Sequence, residues 1–191
     1  NILMQSSTEN NLYDWKQGLH RLSSPYSRDP DCVAQIAKTL AAMANYGPGS
    51  KGYVLVGVTD DASTANRVAK EHGVKARIYR RFHILGVDHE AALAGYRKGL
   101  DSYLQGFVQA LSAQPLTPAY LAEITGKIRI VQYMDRHVVV LQVLAMDEPC
   151  AFEGHYYQRT GSDIQKIEGE SLKQLFRRFY ADGATQERQR S

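Results

Sequence analysis

The sequence is poor in cysteine and has no long apolar run. Its 191 residues include only two cysteines, Cys32 and Cys150, which lie far apart and form no CxxC pair. A disulfide framework and a thiolate zinc site are therefore not expected, and a reducing compartment fits. No apolar stretch approaches the roughly 20 residues of a membrane-spanning helix, and the first residues lack the regions of a secretory signal. We expect a cytoplasmic protein with no membrane partner.

The composition is that of an ordinary globular protein, with 43% hydrophobic and 23% charged residues. This length is sufficient for one well-buried core. The predicted helices and strands are mixed without strict βαβ alternation, so we expect a single α+β domain, with a mixed β-sheet and flanking helices. The domain is predicted to cover residues 9–180. We expect residues 1–8 to be disordered or derived from cloning, and residues 181–191 to form a polar tail.

The elements of the first half are predicted from capping signals and hydrophobic periodicity. Asp29 and Pro30 mark the start of a helix that ends at Asn45 and buries one apolar stripe. The continuous apolar run Tyr53–Val58 predicts a strand that is buried on both faces. A helix or loop around VAKEHG follows, and the segment RIYRRFHILGV predicts one further strand.

The second half is predicted to begin with a long helix from Asp88 to about Leu111, which has a clear apolar face. Pro115 and Pro118 predict its end and the start of a linker. Two β-rich runs then predict a hairpin with its turn at Asp135 and Arg136. The remaining predicted elements are a short strand at 155–160 and a last helix at about 171–180.

Positive charge is concentrated in residues 62–86, although the net charge of the whole chain is only +3. This stretch has six basic residues and one acidic residue, so its own net charge is +5. Such asymmetry bears on binding partners more than on the fold. Its charged residues are Arg67, Lys70, Lys75, Arg77, Arg80 and Arg81, against Glu71. The alternative is a solvated loop.

A series of short motifs resembles the Schlafen AlbA_2 domain family, also named divergent AAA-4. The motifs are Tyr13–Lys16 (YDWK), Ala42–Asn45 (AMAN), Gly52–Asp61 (GYVLVGVTDD), a late hydrophobic hairpin, and Tyr156–Ser162 (YYQRTGS). The resemblance covers about residues 9–180. The chain departs from the family in having Asp-Trp-Lys where a Glu-Phe-Lys type motif is usual, in a longer loop after Asn45 without the usual acidic residue, and in an enlarged basic stretch at 62–86.

The resemblance implies an α+β module that binds nucleic acid, found mostly in bacterial regulators and in Schlafen proteins. Some Schlafen proteins are metal-dependent endoribonucleases that act on transfer RNA. The AAA name implies ATP binding, but the chain has no GxxxxGK[ST] motif, so we give that implication little weight.

The basic stretch supplies the main candidates for contacts with nucleic acid. On a single strand, alternation would place Arg77, Tyr79, Arg81 and His83 on one face. The basic groups would neutralise phosphates, and Tyr79 could stack on an unpaired base. The alternative is a solvated sheet edge that is protected by charge. The complete predicted set is Lys51, Lys75, Arg77, Tyr79, Arg80, Arg81, His83 and Arg159.

Three carboxylates could form a site for a divalent cation. Glu9 and Asp14 are five residues apart, which is the spacing of the two early acids in Schlafen nucleases, and Asp60 would be the third ligand. Hard cations such as Mg²⁺ or Mn²⁺ prefer oxygen ligands and assist phosphodiester cleavage. Lys16 would stabilise the developing phosphate charge. The alternative is that Glu9 lies in a mobile terminus and Asp14 caps a turn.

Three hypotheses on function follow. The first is a module that binds RNA or DNA and acts as a regulatory or targeting unit of bacterial type. The second is a divalent-metal-dependent, Schlafen-like endoribonuclease. The third is an interaction or oligomerisation scaffold, in which the predicted helix at 88–111 mediates self-association. Because Schlafen proteins resemble two such lobes in one chain, a single lobe could also form a C₂ homodimer.

Overall fold

The computed structural model describes residues 10–93 and 95–180. Glu9, residues 1–8 and the predicted tail at 181–191 lie outside the described residues. A short 3₁₀ helix spans Asn10–Leu12. The α-helices are α1 (Pro30–Ala44), α2 (Ala62–His72), α3 (Asp88–Ala91), α4 (Leu100–Ser112), α5 (Pro118–Thr125) and α6 (Gly169–Tyr180). Within the described part of the chain, no helix has both the length and the apolar character that crossing a bilayer requires.

A four-stranded mixed sheet lies at the centre, with the strand order β1-β2-β7-β6. The strands of the protein are β1 (Tyr13–Lys16), β2 (Lys51–Val56), β3 (Val58–Thr59), β4 (Arg77–Tyr79), β5 (Phe82–Ile84), β6 (Arg129–Tyr133), β7 (Arg136–Leu144), β8 (Ala151–Phe152), β9 (His155–Thr160) and β10 (Asp163–Lys166). β1 and β2 are parallel, and the other neighbours are antiparallel. Two smaller antiparallel sheets have the orders β3-β5-β4 and β10-β9-β8. The predicted single-domain α+β fold with a mixed sheet is confirmed.

Helix α1 packs against one face of the central sheet, which we call the inner face. The side chain of Asp29 accepts a hydrogen bond from the backbone N–H of Asp31, and Pro30 occupies the first turn. The apolar side chains of α1 form the main core with inward-facing side chains of β2 and β7. Burial of this apolar area stabilises the fold. The predicted helix between Asp29 and Asn45 is confirmed.

The apolar run predicted as one strand is broken at Gly57 into β2 and β3. Gly57 has φ +99°, a conformation that favours glycine. A Cβ atom at this position would lie 2.9 Å from the carbonyl carbon of Gly86. The chain therefore leaves the central sheet at Gly57 and enters the small sheet, whose β4–β5 hairpin covers part of the opposite, outer face. The buried side chains of this contact are Leu55, Val58, Phe82, Ile84, Val138 and Val140.

The segment RIYRRFHILGV forms a tight hairpin and not the single strand that its sequence predicts. β4 and β5 pair antiparallel, and the turn between them is Arg80 and Arg81, with Arg80 at φ +54°. Tyr79 pairs with the first residue of β5, so His83 projects from the opposite face of the hairpin. The prediction is therefore wrong in placing on one strand face the residues Arg77, Tyr79, Arg81 and His83.

The long helix predicted between residues 88 and 111 is also wrong, because the segment divides into α3 and α4. The chain turns between them and enters α4 through Gly99, which has φ +58°. The apolar face of α4 is buried in the main core through Tyr103, Phe107 and Leu111. These three side chains hold the domain together and are not available for self-association.

The segment between α4 and the β6–β7 hairpin is more ordered than predicted. Pro118 occupies the first turn of α5, where the sequence predicts a linker. The predicted hairpin is confirmed, but its two-residue turn consists of Met134 and Asp135, one residue earlier than predicted, and Arg136 begins β7. Near the C-terminal end, the predicted strand and last helix are confirmed as β9 and α6, whereas β10 is an additional strand.

The polar side chain of Asn45 joins the end of α1 to the C-terminal sheet. Asn45 is fully buried. Its Nδ2 donates to the carbonyl oxygens of Cys150 and Tyr157 at 2.9 and 2.8 Å, and its Oδ1 accepts from the N–H of Cys150 at 2.8 Å. Because the side chain satisfies three buried backbone groups, the family-like A-x-x-N motif has a structural role here.

Candidate nucleic-acid interface

The outer face of the central sheet carries aromatic and basic side chains. Along β2, alternation places Lys51, Tyr53 and Leu55 on this face, while the residues between them face α1. Tyr13 and Trp15 lie beside them because β1 pairs with β2 in register. The rings of Tyr13 and Tyr53 are stacked, with centroids 5.6 Å apart and planes inclined by 15°. Tyr53 and Trp15 are half-buried, so part of each ring is accessible.

The tip of the β4–β5 hairpin places two arginines beside aromatic rings. The guanidinium of Arg81 lies 5.4 Å from the ring of Trp15 and 5.1 Å from that of Phe82. The guanidinium of Arg80 lies 5.9 Å from the ring of Tyr79. These are cation–π distances, which orient a cation without neutralising its charge. The tip therefore presents two exposed positive groups at one end of the outer face.

The predicted basic residues differ in whether an acidic partner neutralises them. Arg77 forms a bidentate pair with Asp135, at 2.8 and 3.0 Å. The hydrogen bond from Arg77 lowers the pKa of Asp135 to about 2, so the pair is ionised at neutral pH. Arg80, Arg81 and Lys51 are exposed, and none of them has an ion-pair partner among residues 10–93 and 95–180.

Lys75 and His83 lie near the tip but not in its ring cluster. Lys75 is exposed before β4, and its carbonyl oxygen accepts a hydrogen bond from Arg136 at 3.0 Å. His83 is half-buried, next to the exposed side chain of Ile78 across the hairpin. The structure therefore brings together Tyr79, Arg80 and Arg81 from the predicted set, with Lys51 on the same face of the central sheet.

Arg159 is buried and binds two residues of β1, which indicates a structural role. Its side chain is only 4% exposed, and it donates to the carbonyl oxygen of Tyr13 and, at 2.9 Å, to Oδ1 of Asp14. Burial lowers the pKa of Arg159. Asp14 also pairs with Lys16 at 3.0 Å. The guanidinium thus connects β9 to β1 and does not belong to the exposed basic surface.

Of the three predicted metal ligands, Asp14 and Asp60 are described and Glu9 is not. Asp14 alternates with Trp15 along β1 and points away from the outer face, toward Arg159. Asp60 accepts a hydrogen bond from the indole Nε1 of Trp15 at 2.8 Å, so it lies on the outer side. The described part of the chain contains no group of three His, Cys, Asp or Glu side chains that could hold a metal ion. The Mg²⁺ or Mn²⁺ site with Glu9 stays a prediction.

Trp15, Tyr53 and Arg129 are candidate surface residues absent from the predicted set. Arg129 pairs with Val140, whose side chain belongs to the outer-face cluster, and it is exposed. A period of two within YDWK and KGYVLV was the available signal for the first two residues. The pattern identifies residues that share a face, but the hairpin that covers part of that face is set by tertiary packing.

Comparisons with known proteins identify a fold and no family. No protein-family model matches the chain, and no curated protein matches it. Among solved structures, the fold is similar to a crystal structure of the DIP2311 protein from Corynebacterium diphtheriae, with a TM-score of 0.51 and 17% sequence identity over 90% of this chain. The chain spans 24% of the length of that protein's chain. This likeness supports the α+β fold alone.

Proposed function

We propose that this chain is an AlbA_2-like module that binds nucleic acid through the outer face of its central sheet and the adjoining hairpin tip. One observation carries the proposal. Arg80 and Arg81 are exposed, lie against aromatic rings, and have no carboxylate partner among the described residues. Cations beside accessible rings are the combination that nucleic-acid-binding surfaces use for phosphates and bases.

The geometry favours a strand with unpaired bases. Lys51 and the hairpin tip are on the same face. Lys51 is four residues from Leu55 along β2, and Leu55 pairs with Trp15, whose ring contacts Arg81 of the tip. Four residues of a strand span about 13 Å, which is close to the length of two or three extended nucleotides. Between these cations lie the accessible rings of Tyr53 and Trp15, on which bases can stack without regard to sequence. We expect the module to bind single-stranded RNA or DNA more tightly than a duplex.

The test is a binding titration with Arg80→Ala/Arg81→Ala. The ligands are labelled U and dT oligonucleotides of about 16 nucleotides, and a duplex of the same length. If both arginines contact phosphates, the double variant binds more weakly, and the slope of log K against log salt concentration between about 50 and 200 mM falls by about 1.4 for a single strand and about 1.8 for a duplex. Trp15 is the only tryptophan, so its emission gives a second readout at the proposed surface.

The matched control is Arg67→Ala/Arg177→Ala, which removes the same charge from exposed positions on α2 and α6. We expect this control to keep the wild-type salt slope and the wild-type change in Trp15 emission. Equal weakening by both double variants would assign binding to net charge and not to the hairpin tip. Unchanged binding by Arg80→Ala/Arg81→Ala would remove the tip from the interface.

A further inference from the structure

The free edge of β6 differs from the other sheet edges of the described chain. β6 is the last strand of the central sheet and pairs only with β7. Residues 130–134 contain no charged side chain. Val131 of β6 is 42% exposed, and Met134, in the turn that follows β6, is 67% exposed. Ile78, at 70%, belongs to β4, which Arg77 ties to the β6–β7 turn through Asp135.

The other described edges carry features that discourage pairing. β10 begins with Asp163 and ends with Lys166, both exposed. At β1, the carbonyl oxygen of Tyr13 already accepts a hydrogen bond from the guanidinium of Arg159. β4 is only three residues long and begins with Arg77, and the edge strands β3 and β8 have only two residues each. Charged residues, short strands and covering groups are the usual protections of a sheet edge, and β6 has none of them between its ends.

We propose that β6 pairs antiparallel with β6 of a second copy of this chain. The two-residue turn makes Tyr133 and Arg136 a hydrogen-bonded pair. Hydrogen-bonded and non-bonded pairs alternate along an antiparallel ladder, so the N–H and C=O groups of Ile130 and Gln132 point away from β7. Centring the two copies on Val131 sets Ile130 of each opposite Gln132 of the other, with their free backbone groups facing each other.

The side chains on either side of this centre are complementary. The same register places Arg129 of one copy opposite the ring of Tyr133 in the other, a cation–π pair across strands. It places Lys127 opposite Asp135, two residues that each have an ion partner in their own copy, Glu123 and Arg77. No like charges face each other in this pairing. A second copy therefore fits this edge better than a strand of arbitrary sequence.

Antiparallel pairing of identical edges requires a two-fold axis perpendicular to the sheet. The product is one continuous eight-stranded sheet, twice the four strands of each copy, with both outer faces on the same side. This last consequence rests on the proposed function, because it would align two nucleic-acid surfaces. The pairing itself does not depend on nucleic acid and is tested without it.

The experiment is sedimentation velocity of the purified chain between about 1 and 100 μM, a range that covers weak and tight dimers. We expect the wild type to reach twice its mass of 21.4 kDa. Val131→Lys places two like charges opposite each other at the two-fold axis, so we expect a monomer with an unchanged circular dichroism spectrum. The matched control is Gln165→Lys on the exposed edge strand β10, which should remain a dimer.

A second variant tests the backbone. Gln132→Pro removes an outward N–H group at an exposed edge position, where proline is tolerated, and we expect it to weaken the dimer at least tenfold. A wild type that stays monomeric at the highest concentration overturns the proposal. A dimer that persists in both the Val131→Lys and the Gln132→Pro variant also overturns the proposal. Loss of the dimer with nucleic-acid binding retained by each copy would leave the proposed function standing.

Discussion

At the scale of single residues, Asn45 shows how one amide connects distant segments. It lies at the end of α1, fully buried, and satisfies the N–H and C=O of Cys150 and the C=O of Tyr157. No other side chain could supply two donors and one acceptor in the same volume without a change of charge or length. Asn45, which the sequence predicts as the end of a helix, thus also connects distant segments through hydrogen bonds.

Replacing this amide by a methyl group should be costly. We expect Asn45→Ala to lower the free energy of unfolding by about 3 kcal/mol, because it leaves several buried backbone groups without partners. Urea denaturation measures the change. The control is Gln35→Ala, at an exposed position of the same helix, for which we expect a change below about 0.5 kcal/mol. Equal stability of the two variants would show that water replaces the amide.

At the scale of elements, the caps decide where helices begin. Helix α2 starts after Asp61, whose carboxylate accepts hydrogen bonds from the N–H and hydroxyl groups of Ser63 and Thr64. These bonds, with the Thr64 hydroxyl first, lower the pKa of Asp61 from 3.8 to about 2. At the other end, Gly73 adopts the left-handed conformation that commonly ends a helix.

The cap predicts a pH dependence with a definite sign. Because the pKa of Asp61 is lower in the folded state, its stabilising effect is fully present above about pH 4 and is lost as the pH falls through about 2. We expect Asp61→Ala to melt at a lower temperature than the wild type at pH 7, and this difference to shrink between pH 4 and 2. A difference that is independent of pH would contradict the assignment of the cap to the carboxylate.

The elements also show which sequence signals predict structure. The helix from Asp29 to Asn45 is predictable because cap, proline and apolar stripe agree. The β4–β5 hairpin is not, because Arg80 and Arg81 form its turn without glycine, asparagine or proline, and Arg80 takes a positive φ that tertiary packing must stabilise. The predicted long helix fails at Gly99, because the apolar periodicity continues across this residue in the sequence while its φ of +58° turns the chain.

At the scale of the whole molecule, the candidate interface depends on contacts between distant segments. Trp15 comes from β1 and Arg81 from the hairpin tip, and they meet only because Gly57 turns the chain out of the central sheet. Sequence alone identified Arg80 and Arg81 as candidates from local charge. It could not show that Asp135 neutralises Arg77 from 58 residues away, or that Arg159 is buried.

The ion pair between Asp14 and Arg159 leads to a prediction on the scale of the whole molecule, because it joins two strands 145 residues apart. Asp14→Asn removes the negative charge that faces the guanidinium of Arg159, and we expect the free energy of unfolding to fall by about 2 kcal/mol, the order of a hydrogen bond to a charged group. The control is Asp163→Asn, at an exposed position of β10, which should be neutral. Thermal and urea denaturation measure both variants, with and without Mn²⁺.

The same variant separates a structural role from the ribonuclease hypothesis. If Asp14→Asn keeps the wild-type stability but abolishes an Mn²⁺-dependent cleavage of structured RNA, the carboxylate acts on a metal and its pairing with Arg159 is secondary. If stability falls and no cleavage is found in the wild type, Asp14 serves the fold. In that case the binding function does not need the carboxylates.

The link made by Asn45 also has a consequence for amide hydrogen exchange. The N–H of Cys150 is buried and donates to a side chain 105 residues earlier in the chain, so a contact between two distant segments protects it. Exchange with solvent requires α1 and the C-terminal sheet to separate, which is a cooperative opening of the domain. The Cys150 amide should therefore be among the last to exchange, at a rate set by global unfolding.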